Sequence, residues 1–175
     1  WRSPQREVIK APKAEHYHAL SCWQISPECQ QQFLARLDWL GAKNNLAMHG
    51  IGAQTWQALL DANYITELTD WLTLSAEDLQ QLSSFAQKRS ERTALAFAQA
   101  KRQPFTRWLR ALGAPASVNP KTGDNWHTLA ALSELDWQQQ RFLSRSNAQR
   151  ARAFFQHPQV QSAALNLQQH GINGF

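Results

Sequence analysis

Leu46-Ala47-Met48-His49-Gly50-Ile51-Gly52-Ala53-Gln54-Thr55-Trp56-Gln57-Ala58-Leu59-Leu60 is the stretch on which the reading of this chain turns. An apolar lead-in reaches a Gly-Ile-Gly tripeptide, after which Trp56, Leu59 and Leu60 recur at helical spacing. Two glycines around one apolar residue allow left-handed backbone angles that a Cβ opposes, while Ile51 can turn inward and pin the loop to a core. The loop amides then face outward at the start of a helix, where unpaired N–H groups and the positive dipole end suit a phosphate oxygen. Gly50, Ile51, Gly52 and Ala53 are therefore the first candidate binding residues, and such a grip reads backbone and not base sequence. Alone, the tripeptide fits equally well a helix C-cap glycine followed by a second turn glycine.

Helical signals continue on both sides of this hairpin. Ser26 is a candidate cap and Pro27 suits a first turn ahead of Phe33, Leu34, Leu37 and Leu40, a run that Gly41 closes. Ser75 and Asp78 form an S-x-x-D capping signature before Leu79 and Leu82. Pro104 separates a long helix from a run containing Phe105, Trp108, Leu109 and Leu112, which Gly113 ends. Amphipathic segments follow around residues 126–132, 147–155 and 160–170. No alternating strand pattern interrupts them. The expectation is an all-α fold of many short helices, with the tryptophans beyond the first stretch serving as core. Residues 1–25, with Pro4, Pro12 and no period, read as an extended linker, and 26–175 as the helical domain.

With 175 residues and 43% hydrophobic content the chain can fill a core. Its 18 Lys and Arg against 13 Asp and Glu give a net charge of +5, which biases it toward polyanions. The start at Trp1 and the lack of a charged segment leading into an apolar run point to a piece of a longer protein with no secretory signal. No apolar stretch has the length of a membrane span. Two cysteines, Cys22 and Cys29, are too few for a disulfide framework, so a reducing, cytoplasmic setting is expected.

The order of features after Cys22 resembles that of bacterial NAD-dependent DNA ligases: Cys29 followed by glutamines, a helix, the Gly50 to Gly52 hairpin, then further helical hairpins. Where that family has a Gly-Phe-Gly turn, a Lys beyond it and a long helix ending in Lys, this chain has Ser84-Phe85-Ala86, Lys88 and Lys101. Ala111-Leu112-Gly113 match the family's Ala-Leu-Gly step, but residues 114–120 replace its third hairpin, and no binding is expected there. The fourth turn falls at Phe142-Leu143-Ser144, ahead of Ala148 and Phe154-Phe155. Only the first hairpin keeps both glycines, and an alanine or serine forced into left-handed angles costs about 1–2 kcal/mol, so weakened binding is implied. The family's four-cysteine zinc finger is reduced to Cys22 and Cys29, and the sequence stops at Phe175 where the main ligases continue into a BRCT domain; both departures resemble the family's B type. His16 and His18 could complete a His₂Cys₂ set, but their H-x-H spacing is not a usual finger pattern, and the preferred reading is a vestigial finger held by packing around Trp23, Phe33 and Leu37, with no metal.

The resemblance implies a helix-hairpin-helix domain, RuvA domain 2-like, that grips nicked double-stranded DNA. Cations after the second turn, Lys88, Arg89 and Arg92, with Lys101 and Arg102 at the end of its helix, are the next candidate contacts, and Arg107 and Arg110 extend the series. Arg141 and Arg145, with Arg150 and Arg152, form a second basic group near the fourth turn. The adenylated lysine of ligase chemistry needs a K-x-D-G setting that is absent here, Lys121-Thr122-Gly123-Asp124 having the wrong order, so this part alone is expected to be inactive and without cofactor. The implied parent would use NAD and a divalent metal such as magnesium, through upstream adenylation and OB domains, to join 5′-phosphate and 3′-hydroxyl at nicks in DNA replication and repair.

Other classes stay open. One is a helix-hairpin-helix adaptor for DNA or protein with no enzymatic parent. Another is a degenerate, inactive ligase relative. A base-excision glycosylase shares the hairpin, but its Gly/Pro-rich loop and catalytic aspartate have no counterpart in Asp61-Ala62-Asn63-Tyr64.

Overall fold

The computed structural model describes residues 22–82 and 85–175. Among these the chain forms α1 (Gln30–Leu40), α2 (Ala53–Asp61), α3 (Ala76–Gln80), α4 (Gln87–Lys101), α5 (Phe105–Ala111), α6 (Trp126–Ala130), α7 (Glu134–Gln139), α8 (Arg145–Gln156) and α9 (Pro158–Gln169), with a 3-10 turn at Asp70–Thr73. No strand occurs among the described residues, only an isolated antiparallel bridge between Gln24 and Glu67. The all-α expectation holds. Most of the linker, with His16 and His18, lies outside the described residues, as does Ser84 of the second turn.

Local chemistry accounts for most boundaries. Ser75 accepts from the Asp78 amide while the Asp78 carboxylate accepts from the Ser75 amide, so each satisfies a group that the start of α3 leaves open. Asn125 with Thr128, and Ser133 with Asp136, repeat that arrangement at α6 and α7. Pro104 caps α5, and Gly113, at φ +91°, reverses the chain after it. The expected start of α1 at Ser26 is corrected: the Cys29 amide donates to the Ser26 carbonyl in a separate turn, and the helix begins a turn later with Cys29 as its cap.

Consecutive helices pack in pairs, α1 with α2, α3 with α4 and α7 with α8, while α5 rests on α1 and α9 on α8. One apolar core runs through all of them. Of the described tryptophans, Trp23, Trp56, Trp71, Trp108, Trp126 and Trp137 are buried, as expected; Trp39 is half exposed and its Nε1 donates to the Arg110 carbonyl. Trp56, Phe97, Trp71 and Trp108 form a continuous aromatic stack, with Trp71 and Trp108 rings 6.0 Å apart. Phe175 extends it, its ring lying against Phe105, Trp108 and Trp126, and the Trp126 amide donates to the Gly174 carbonyl at 2.7 Å.

A disulfide joins Cys22 and Cys29, with Cα atoms 5.4 Å apart, which corrects the reading of both as thiols. Two cysteines were too few for a framework, but a single bridge needs only a local reversal, and the turn at 26–29 brings Cys29 back beside Cys22. Trp23, Phe33 and Leu37 are all buried members of the core.

Candidate nucleic-acid interface

Three turns of this fold share one construction. In the first, Gly50 takes φ +79°, Ile51 packs against the core and donates its amide to the Met48 carbonyl at 3.3 Å, and Gly52 is the extended cap of α2. In the second, Phe85 is buried and donates its amide to the Leu82 carbonyl at 3.0 Å, and Ala86 is the extended cap of α4. In the fourth, Phe142 takes φ +58°, half-buried Leu143 donates its amide to the Trp137 carbonyl at 3.2 Å, and Ser144 is the extended cap of α8. An apolar middle residue faces the core each time, so the turn is fixed from inside and its outer edge is set by the next helix.

Two details depart from the sequence reading. Gly52 sits at φ −130° and ψ −169°, extended backbone open to any residue, so only Gly50 needs a left-handed conformation. The Ile51 amide is bonded within the turn, not turned outward. Outward-facing donors come instead from the first turn of the helix that follows. Neither α2 nor α4 has a side-chain hydrogen bond at its cap, a feature shared with α1 and α5, whereas α3, α6, α7, α8 and α9 each have one. The first amides of α2 and α4 thus keep the positive potential of an uncapped helix start. Gly50 and Ala53 are exposed there, and a Cβ added at Gly50 or Gly52 would meet nothing within 4 Å.

The structure divides the candidate cations sharply. Lys88 and Arg92 are exposed on the first turns of α4, one helical turn apart, with Glu91 between them held by Gln87 at 3.2 Å. Arg89 lies half-buried with its guanidinium 4.2 Å over the Phe85 ring and its Nη2 donating to Thr55 Oγ1 of α2. Lys101 and Arg102 stand at the far end of α4, about 20 Å from Lys88 along a helix rising 1.5 Å per residue, so they are not part of the same cluster. Arg145 is exposed at the first position of α8, beside the fourth turn.

Other arginines of the basic series are spent on the protein. Arg141 pairs bidentately with Asp124, at 2.7 and 2.9 Å, with both side chains largely buried. That pairing holds the Asp124 carboxyl well below the usual range, at about 2, the hydrogen bond from Arg141 being the largest cause. Arg107 donates to the carbonyls of Lys43 and Asn45, and Arg110 to that of Asn44. Together with Asn45, whose Nδ2 donates to the Trp39 carbonyl at 2.6 Å, and Gln103, which donates to the Leu46 carbonyl, they hold the loop leading to Gly50. Arg152 donates to the Ala130 and Leu132 carbonyls and closes the end of α6. Sequence reasoning had no signal for these partners beyond the residue type, because they lie far away along the chain.

No group of three or more His, Cys, Asp or Glu that could hold a metal ion occurs among the described residues. No helix among them is long and apolar enough to cross a membrane.

No protein-family model matches the chain. It is 38% identical over 174 residues to the DNA ligase B of Pseudomonas fluorescens (strain Pf0-1), a match covering 99% of this chain and 31% of that protein. Over the same length it is 41% identical to the DNA ligase B of Pseudomonas putida (strain W619), again covering 99% of this chain and 31% of the relative, so the chain spans about a third of the length of the DNA ligases B it resembles.

Proposed function

We propose that this chain is the duplex-gripping part of an NAD-dependent DNA ligase of the B type, a helix-hairpin-helix domain that holds nicked DNA by its phosphate backbone while other domains seal the nick. The observation that carries this reading is the pair of helices, α2 and α4, that begin without a side-chain cap directly after equivalent turns, the second with Lys88 and Arg92 exposed beside it. Helices α1 and α5 also begin without a side-chain cap, so it is the exposed turn ahead of α2 and the exposed Lys88 and Arg92 on α4 that make these two starts suit an external anion. The name of the relatives, DNA ligase B, agrees with that partner.

In this reading Gly50, Gly52, Ala53 and Ala86 offer backbone amides, Ile51 and Phe85 anchor the turns from inside, and Lys88, Arg92 and Arg145 supply cations at the turns. Arg89 acts as a positioning residue, and Arg141 is withdrawn from the interface by Asp124. Lys101 and Arg102 would meet the backbone further along. Holding the nick in register is a positioning contribution to catalysis. In this reading NAD and the divalent metal belong to the adenylation and OB domains of the proposed parent, where the K-x-D-G lysine that this sequence lacks would lie. By itself the chain would not seal nicks. Its DNA substrate would place it in the cytoplasm.

A titration of the chain onto nicked duplexes of unrelated sequence, repeated across salt concentrations, tests this. Affinity should be indifferent to sequence and fall with salt, and Lys88→Ala and Arg92→Ala should each reduce the slope of log K against log salt by about 1. Binding that is absent at low salt, or that follows base sequence, would overturn the reading.

A further inference from the structure

Phe142 is an anomaly in two respects. Its backbone sits at φ +58°, a region that bulky L residues rarely enter, and its side chain is 86% exposed, more than any other large hydrophobic residue among those described. Gly50 occupies the equivalent place in the first turn, at φ +79°, where it satisfies the same reversal without strain. A glycine or asparagine would therefore build the fourth turn more easily. Neither packing nor chain reversal accounts for an aromatic ring here.

Its neighbours anchor the backbone on both sides of the exposed ring. Arg141 is clamped to Asp124, Leu143 packs on the core with its amide bonded to Trp137, and the Ser144 hydroxyl caps α8 through the Asn147 amide. Exposed Arg145 stands next to the turn, with no carboxylate on the first turn of α8. An exposed apolar face on an anchored turn, beside an exposed cation, has the chemistry of a nucleobase-stacking group: the ring takes the π-face of a base while the guanidinium meets the adjoining phosphate.

The geometry points to Phe142 as an aromatic wedge that stacks on a base at the discontinuity of a nicked duplex, so that the fourth turn, unlike the first two, contacts bases and not only backbone. A continuous duplex keeps its bases stacked, whereas a nick lets one step open at little cost, so the ring would favour nicked over intact DNA. This rests on the backbone grip proposed above and adds a separate source of selectivity.

The test uses the 175-residue chain with nicked and intact duplexes of one sequence, carrying 2-aminopurine beside the nick. Wild type should change the 2-aminopurine emission and prefer the nicked duplex. Phe142→Gly should melt at a higher temperature, because glycine suits the turn, yet bind nicked DNA about tenfold more weakly, bind intact DNA unchanged and lose the emission change. Phe142→Trp should keep both. If Phe142→Gly leaves nicked-duplex affinity and emission as in wild type while salt-dependent binding persists, the wedge is wrong and the backbone grip stands. Self-association that disappears in Phe142→Gly would equally overturn it, by assigning the ring to a second copy. Failure of wild type to bind either duplex would remove both readings.

Discussion

Arg89 on α4 donates to Thr55 on α2 across 3.3 Å, linking the first turns of two helices that both begin without a side-chain cap. With its guanidinium also over the Phe85 ring, one side chain sets the spacing between both open helix starts. Thr55 is buried, so Thr55→Val, nearly isosteric, should lose about 1 kcal/mol in urea unfolding. A double-mutant cycle with Arg89→Met should give a coupling of about 0.5–1 kcal/mol, and a coupling of zero would show that the contact orders nothing.

Gly50 and Gly52 should separate fold from function. Only Gly50 needs positive φ, so Gly50→Ala should cost about 1–2 kcal/mol of stability. Gly52→Val should fold with unchanged helicity, since a Cβ there meets nothing within the protein, yet bind duplex DNA severalfold more weakly because the added side chain blocks what approaches from outside. Circular dichroism and an anisotropy titration on the same samples read the two effects; equal affinity for Gly52→Val and wild type would take this turn out of the interface.

Asp124 gives the fold an acid-sensitive joint. Its carboxyl lies at about 2 when folded against an ordinary 3.8, so the folded state binds this proton more weakly than the unfolded chain. The resulting stabilisation is complete above about pH 4 and disappears as the pH falls through about 2. Asp124→Asn should therefore be less stable than wild type at neutral pH and lose less stability on acidification through that window, as followed by chemical unfolding at a series of pH values. Parallel pH profiles for the two proteins would mean that Arg141 does not depend on the charge of Asp124.

Gly174 is the most intolerant position near the C-terminus. Its φ is +88°, and a Cβ there would fall inside van der Waals contact with the Phe105 ring. Gly174→Ala should lower stability by about 2–4 kcal/mol, combining left-handed strain with displacement of an aromatic neighbour. Gly171→Ala, at φ +69° with open space around it, is the control and should lose only the strain. Thermal melts of the two variants should differ clearly.

What the sequence disclosed, and what it did not, follows the range of the interactions. The Ser75 and Asp78 pair, Pro104, Gly113 and the Gly50 turn act on neighbours a few residues away, so their types and spacing carried the fold class and most helices. The same S-x-x-D spacing at Ser133 and Asp136 caps α7, a helix the periodicity reading passed over because six residues offer too little repeat. Long-range partners were hidden. Arg107 and Arg110 reach carbonyls 62 to 66 residues away, and Arg141 reaches Asp124 across 17, so composition counted as free several charges that the fold consumes. Two glycines flanking Ile51 look symmetrical in sequence and are both expected in the left-handed region, while the backbone angles put only Gly50 there.

Phe175 lies against rings from α5 and α6, and Trp71 carries that contact on to α4 through Phe97. Aromatic rings therefore touch one after another from Trp56 on α2 to Trp126 on α6, so a substitution that removes the Phe175 ring would loosen packing at Trp108 and at Trp126 together.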